Sequence, residues 1–201
     1  MRSLLYHFPS LYELALKIIH RENIKKRYEY IASKIKKNEI ILDLGCGTGI
    51  LGRFIGKCKY IGFELNGKFV KYAKKKGFNV IRKNIFDFSS YPKKIDTIVL
   101  CDVLHHIYPR HKFLLKKIRK FAKKIIICEP YDNEKETLMK KLMRTIEIII
   151  DFDGYNSIIK KIHKRWYSKR GLISFFKNSI KDRRNLSIKE IGKDLIAIYK
   201  L

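Results

Sequence analysis

Apolar and polar residues follow two different spacings along this chain. Between residues 40 and 128, short apolar runs rich in β-branched residues have the length and composition of buried strands. The segments between them, such as 69–76 and 112–122, carry apolar residues at helical spacing. Because strands that alternate with helices form a parallel sheet covered on both faces, the pattern predicts an α/β fold with a doubly wound sheet.

The N-terminal segment, residues 1–37, predicts helices before the first strand. Ser10 and Glu13 have the spacing of a capping box after Pro9. The helix that follows carries an apolar stripe made of Leu11, Leu14, Ala15, Ile18 and Ile19. A second helix over 22–35 is expected to bury Ile24, Tyr28, Ile31 and Ile35.

The C-terminal segment ends in a pattern typical of a hairpin. Apolar runs at 186–191 and 195–201 flank the turn residues Gly192, Lys193 and Asp194, which predicts an antiparallel pair of strands. Residues 131–185 exceed a single connecting helix, so we expect a helical insertion, or cap, before the last two strands.

Composition adds a strong positive charge to this picture. The 201 residues are 46% hydrophobic, which favours one folded domain over 1–201. A net charge of +27 attracts anions such as RNA or acidic lipid, although a Lys-rich proteome would give the same excess. The four cysteines lack metal-site spacing, so no metal is expected, and free thiols fit a reducing cytoplasm. No signal peptide or transmembrane segment is apparent, so we expect a cytoplasmic location.

The most informative stretch is 39–52, E-I-I-L-D-L-G-C-G-T-G-I-L-G. A strand, a glycine turn and a helix predicted over 48–57 form the start of a nucleotide-binding fold. The glycines fit a dinucleotide fingerprint starting at Gly47, or an earlier register that starts at Asp43. A carboxylate at the mouth of the turn repels a pyrophosphate and attracts a ligand with an ammonium and a sulfonium. The earlier register therefore favours S-adenosylmethionine (SAM) over NAD.

Five motifs in the expected order make the chain resemble the class I SAM-dependent methyltransferases over about residues 25–130. They are D-L-G-C-G-T-G at 43–49, Y-I-G-F-E at 60–64, the segment 79–88, I-D-T-I-V-L-C-D-V-L-H-H-I at 95–107 and K-I-I-I-C-E-P at 124–130. The loop after the fourth strand is similar to that of the ubiquinone- and menaquinone-biosynthesis enzymes. The resemblance implies a Rossmann-like, seven-stranded sheet that ends in an antiparallel hairpin.

The resemblance also implies a set of cofactor-binding residues. Glu64 ends the second strand and takes the ribose hydroxyls, at the spacing expected for a ribose-binding acid. Asn84 stands where the family often has an Asp beside the adenine. The full implied set is Asp43, Gly45, Cys46, Gly47, Gly49, Glu64, Leu65, Asn84, Ile85, Cys101 and Asp102.

Candidates for the chemistry follow the fourth and fifth strands. His105 and His106 are candidate general bases because imidazole titrates near neutral pH. In the family such a pair often only orders its loop. Glu129 and Tyr131, at the end of the fifth strand, are candidate ligands of a polar acceptor, with Glu129 as a helix cap in the other interpretation.

The acceptor class stays open between a small-molecule or lipid-like compound and RNA. Residues 155–184 hold ten basic side chains and one acidic one alongside aromatics, which suits RNA or another anionic surface. Tyr155 and Trp166 in this region are candidate substrate contacts. The loop resemblance favours the small-molecule or lipid-like acceptor. A non-catalytic SAM-binding module is a third, remote hypothesis.

Overall fold

A computed structural model describes residues 7–20, 22–131, 168–179 and 185–201. Its strands are β1 (Ile40–Leu44), β2 (Lys59–Glu64), β3 (Val80–Arg82), β4 (Ile95–Cys101), β5 (Ala122–Pro130), β6 (Leu186–Ile191) and β7 (Asp194–Lys200). They form one seven-stranded sheet in the order β3-β2-β1-β4-β5-β7-β6. β7 runs antiparallel to β5 and β6, and the remaining pairs are parallel. The predicted sheet with an antiparallel C-terminal hairpin is confirmed.

Helices cover both faces of the sheet. They are α1 (Pro9–His20), α2 (Glu22–Ser33), α3 (Gly67–Lys75), α4 (His111–Ile118) and α5 (Lys169–Ser179). One face of the sheet packs against α2, whose buried residues are Ile24, Arg27, Tyr28 and Ile31. The other face packs against apolar residues of α4 and α5, including Leu114, Leu172 and Phe176. This doubly covered sheet explains why the central strands are apolar on both sides.

The prediction of a helix over 48–57 is wrong. Only one 3₁₀ turn, Ile50–Arg53, follows β1. Gly49 has φ +76°, a left-handed conformation that cannot belong to an α-helix. The turn also packs closely against Phe78, whose Cδ1 lies 2.7 Å from the position of a Cβ on Gly52.

The N-terminal prediction is right about both helices and about the burial of Ile24, Tyr28 and Ile31 on α2, but it is wrong about the contacts of α1. α1 begins at Pro9, so Ser10 lies inside the helix and does not cap it. Glu13 pairs instead with Arg53 and Lys76. The predicted apolar stripe also does not pack inward, because Leu11 and others in its row are exposed.

Some predictions lie outside the described residues. These include most of the helical insertion expected over 131–185 and most of the basic region 155–184. None of the helices in the described ranges is long and apolar enough to cross a membrane.

Candidate active site

A cavity lies at the edge of the sheet where β1 and β4 end. Six of its lining residues were predicted as cofactor ligands: Asp43, Gly45, Cys46, Gly47, Cys101 and Asp102. The others are Tyr12, Leu16, Tyr28, Thr48, Ile50 and Leu51. The cavity therefore lies between the glycine turn, the end of β4 and the N-terminal helices. In open α/β sheets, ligands bind at this carboxyl edge.

Two glycines give the turn its shape. Gly45 has φ +71°, and a Cβ on it would lie 2.8 Å from Cγ2 of Val103, so no side chain fits there. Gly47 has φ +56°, and a Cβ on it would meet no atom within 4 Å, so space beside its backbone is open to a ligand. The turn is held to β2 because the N–H groups of Gly45 and Cys46 both donate to the carbonyl of Phe63.

Glu64, at the end of β2, holds the same turn from its other side. One carboxylate oxygen accepts the N–H of Gly47 at 3.0 Å, and the other accepts the N–H of Asn66 at 2.7 Å. Each carboxylate oxygen can accept more than one hydrogen bond, so both keep the capacity to bind ligand hydroxyls.

Asp43 lies deeper than the sequence suggests. It belongs to β1, is only 3% exposed, and accepts a hydrogen bond of 2.8 Å from the hydroxyl of Tyr60. Burial raises the pKa of Asp43 to about 7, the Tyr60 hydrogen bond opposes that rise, and the nearby Glu64 carboxylate adds to it. A cationic ligand in the cavity would stabilise the ionised form of this carboxyl group.

Asp102, which lines the cavity, belongs to an ion cluster that the sequence did not reveal. Arg27 of α2 is fully buried and donates to both oxygens of Asp102, at 2.6 and 3.2 Å. It also donates to Asp194 at 3.3 Å and lies over the ring of Tyr28. Asp102 has φ +57°, which is uncommon for a residue other than glycine, and the Arg27 fork fixes its side chain.

A second buried acid, Glu129, organises the loop after β4. It is completely buried; one of its oxygens accepts the N–H groups of Val103 and Leu104 at 2.8 and 2.7 Å. The other oxygen lies 2.7 Å from Nδ1 of His105. Because Glu129 is completely buried, its predicted role as a ligand of the acceptor is corrected. The helix that it was predicted to cap would follow β5 and lies outside the described residues. Glu129 orients His105 and the 3₁₀ turn Leu104–Ile107.

The two histidines differ in their surroundings. His105 is largely buried, and although burial alone lowers its pKa, the Glu129 carboxylate raises it above the ordinary value. In neutral His105, donation from Nδ1 to Glu129 places the lone pair on Nε2. His106 is exposed, and its ring lies beside that of His105, with the centroids 4.0 Å apart.

The remaining predicted site residues lie outside the cavity lining. Leu65 is exposed after β2, and Asn84 accepts the N–H of Phe86 in its own loop. The carbonyl of Ile85, which is buried, accepts the hydroxyl of Tyr91.

Tyr131 was expected at the mouth of the pocket, and this expectation is wrong. Its ring is buried and its hydroxyl donates to Glu190 on the C-terminal hairpin, because β5 continues past the cavity edge to pair with β7. Tyr155 and Trp166 lie outside the described residues.

Comparisons with known proteins place this geometry in a family. A protein-family model described as a methyltransferase domain matches residues 35–170. A search of curated proteins found none that matches. Among solved structures, a SAM-dependent methyltransferase from Aquifex aeolicus is 16% identical with a TM-score of 0.55, and the alignment covers 96% of this chain and 97% of that one.

Two further structures share the fold. The magnesium protoporphyrin IX methyltransferase of Synechocystis PCC 6803 with bound S-adenosylhomocysteine is 14% identical with a TM-score of 0.56, covering 92% of this chain and 85% of that one. A chain of the Pnkp1/Rnl/Hen1 RNA repair complex is 17% identical with a TM-score of 0.59. That alignment covers 89% of this chain but only 42% of the other, so this chain spans less than half of that protein's length.

Proposed function

Because the chain belongs to the methyltransferase-domain family and is a SAM-dependent methyltransferase, we propose that it methylates an oxygen, carbon or nitrogen of a small-molecule or lipid-like acceptor. The observation that carries this proposal is the pair of Glu129 and His105, in which His105 belongs to the loop that follows Asp102 of the cavity lining. It provides an oriented base for an acceptor that must lose a proton.

SAM fits the residues that line the cavity together with Glu64, which contacts Gly47 of the lining. Gly47 leaves open space beside its backbone, Glu64 can accept hydroxyl hydrogen bonds, and Asp43 can pair with a cation. We assign SAM binding to this set, with Cys46, Cys101 and Asp102 on the remaining wall. Leu65, Asn84 and Ile85 follow β2 and β3 at the same edge of the sheet, and we keep them as proposed contacts of the adenosine part.

The chain's own residues have two tasks in the reaction. When bound, SAM supplies an electrophilic methyl group, so the protein must align the acceptor with it and accept any proton that the acceptor releases. His105 is suited to the second task because Glu129 fixes its orientation and stabilises the imidazolium that forms. His106 is the alternative base on the same turn, and its greater exposure suits contact with the acceptor.

The alternative acceptor is RNA, and one described contact weakens the basic surface on which that alternative depends. Lys169 and Arg170 begin α5 and are exposed, but the ammonium group of Lys169 pairs with Glu190. A paired lysine is less available to a phosphate. Of the similar folds, one belongs to an RNA repair complex and another acts on magnesium protoporphyrin IX, so the fold accommodates both kinds of acceptor.

Methyl-labelled SAM incubated with the protein and host extract tests the proposal directly. We expect label in the organic phase or in small solutes, unaffected by nuclease. The matched control is Glu64→Ala, which removes a proposed SAM ligand and should abolish incorporation at low SAM concentration. Label in RNA that nuclease releases would replace the proposal with the RNA alternative. SAM binding without any incorporation would point to the non-catalytic module.

A further inference from the structure

An exposed row of apolar side chains on α1 has no role in the site described above. Leu11, Leu14 and Ile18 are 47%, 52% and 63% exposed, and Phe8, just before the helix, is 56% exposed. At 100° per residue the three helical positions project within about 60° of one another, so they form one ridge. Large apolar side chains grouped in this way mark an interaction surface.

The opposite side of α1 is fixed to the rest of the protein. Tyr12 packs against Phe69 of α3, with ring centroids 4.9 Å apart, and Leu16 lines the cavity. Glu13 pairs with Arg53 and with Lys76, the latter at 3.3 Å. Turning the helix to bury its ridge would break these contacts. The ridge is therefore held outward as long as α1 forms the cavity wall.

Positive charge lies next to the N-terminal end of the ridge. Lys68, at the start of α3, has its ammonium nitrogen 3.0 Å from Nδ1 of His7, next to Phe8. α3 as a whole carries four lysines and no acidic residue. Lys17 is exposed on α1 itself. The chain has a net charge of +27, and its apolar ridge lies next to lysines. Such a surface is complementary to one whose outer layer is anionic and whose inner layer is apolar.

We propose that the α1 ridge and the adjoining lysines of α3 dock the protein on an anionic lipid membrane. The apolar side chains enter the acyl region while the lysines contact the headgroups. RNA is a poorer fit because phosphates are bound by cations and hydrogen-bond donors, and aliphatic side chains add nothing to such contacts. The other side of the same helix carries Tyr12 and Leu16, so docking would bring the membrane next to the wall of the SAM cavity. A lipid-like acceptor could then reach the site directly.

Co-sedimentation of the full chain with vesicles tests the proposal. The vesicles contain phosphatidylcholine alone or phosphatidylcholine mixed with phosphatidylglycerol. We expect binding to the mixed vesicles only, weakened by high salt because surface charges are screened. The variant Leu11→Gln/Leu14→Gln, which keeps good helix formers, should lose about tenfold or more in vesicle affinity. Leu201→Gln is the matched control, because Leu201 is 47% exposed on another element and should leave binding unchanged.

Further measurements distinguish membrane docking from self-association and RNA binding, and they distinguish a failure of docking from a failure of the proposed function. SAM affinity of the Leu11→Gln/Leu14→Gln variant should match the wild type, so a failure in methyl transfer and a failure in membrane binding are distinguishable. The proposal is overturned if wild-type protein ignores anionic vesicles while it binds SAM. It is also overturned if the double variant changes only the oligomeric state or RNA binding. A large drop in thermal stability of that variant would contradict an exposed ridge and indicate that other residues of the chain cover it.

Discussion

The two ends of the cavity are formed by different chemical groups. At the β1–β2 end, backbone N–H groups, left-handed glycines and Glu64 form a turn whose parts lie close together in the sequence. At the β4–β5 end, the parts are buried charged side chains, and Arg27 meets Asp102 across 75 residues and Asp194 across 167. The first end has the features of a cofactor site. The second end positions the groups that we propose for the transfer step.

The two ends also differ in how a mutation should affect the stability of the protein and its affinity for SAM. Away from its left-handed glycines, a turn made of backbone groups loses little when a single side chain changes, apart from the ligand contacts of that side chain. A buried charge, by contrast, depends on its partner because removing one ion leaves the other without compensation in a medium of low polarity. Mutations at the second end should therefore affect stability and catalysis, while mutations at the first end should mainly affect SAM affinity.

The largest effect is expected from Arg27→Met, which leaves Asp102 and Asp194 facing each other without the guanidinium. We expect the free energy of unfolding to fall by about 3–5 kcal/mol, measured by urea denaturation at neutral pH. The control Arg53→Met breaks a partly exposed pair with Glu13 and should cost about 1 kcal/mol or less. Equal losses in the two variants would show that the buried cluster has no special role.

Glu129→Gln should slow methyl transfer without changing SAM affinity. We expect a rate loss of about 10²-fold or more, because the amide cannot stabilise a protonated His105. Although burial lowers the pKa of His105, Glu129 raises it, so removing the charge should lower that pKa. Since a base works only when deprotonated, the acidic limb of the pH–rate profile should move to lower pH. An acidic limb that does not move would contradict a role for this pair.

A smaller effect is expected from the titration of Asp43. Because burial raises the pKa of Asp43 to about 7, the carboxyl group becomes ionised as the pH rises through neutrality. Affinity for the cationic SAM should then increase by up to about tenfold per pH unit below pH 7, measured by calorimetry. Asp43→Asn and the uncharged-sulfur product S-adenosylhomocysteine should both show a weaker dependence. The same dependence in Asp43→Asn would assign the titration to another group.

The raised pKa of Asp43 has the opposite consequence for stability. Its folded value lies above the unfolded one, so the folded state holds the proton more tightly. This contribution to stability is fully present below the unfolded pKa and is lost as the pH rises through about 7. In ligand-free protein, Asp43→Asn should therefore be less sensitive to pH than the wild type across this window.

The fold was predictable because its signals are local and repeated. Each strand between Ile40 and Cys128 has its own apolar run, and the hairpin has its own turn at Gly192. The glycine turn was equally visible, but the helix expected after it failed because Gly49 is left-handed. The spacing of apolar residues also predicted that α1 is amphipathic, but it did not determine which face of the helix packs against the protein. The helix is held by Tyr12 and Glu13 and not by the apolar row.

The charged end of the site was not predictable in the same way. Arg27 looks like any other basic residue of a helix surface until Asp102 and Asp194 are known to lie next to it. Glu129 was noticed from its place at the end of β5, but its partners in the loop after β4 follow only from the three-dimensional arrangement. Tyr131 was misplaced for the same reason, because its partner Glu190 is 59 residues away.

Calorimetric titration of SAM into wild-type protein and Glu64→Ala tests the assignment of the cofactor site most directly. The account predicts that wild-type protein binds SAM more tightly than NADH. It also predicts that Glu64→Ala loses about tenfold or more in SAM affinity for each hydrogen bond to the carboxylate. Glu29→Ala, on the exposed surface of α2, is the matched control and should bind SAM normally. Unchanged SAM affinity in Glu64→Ala, or tighter binding of NADH than of SAM, would contradict the account.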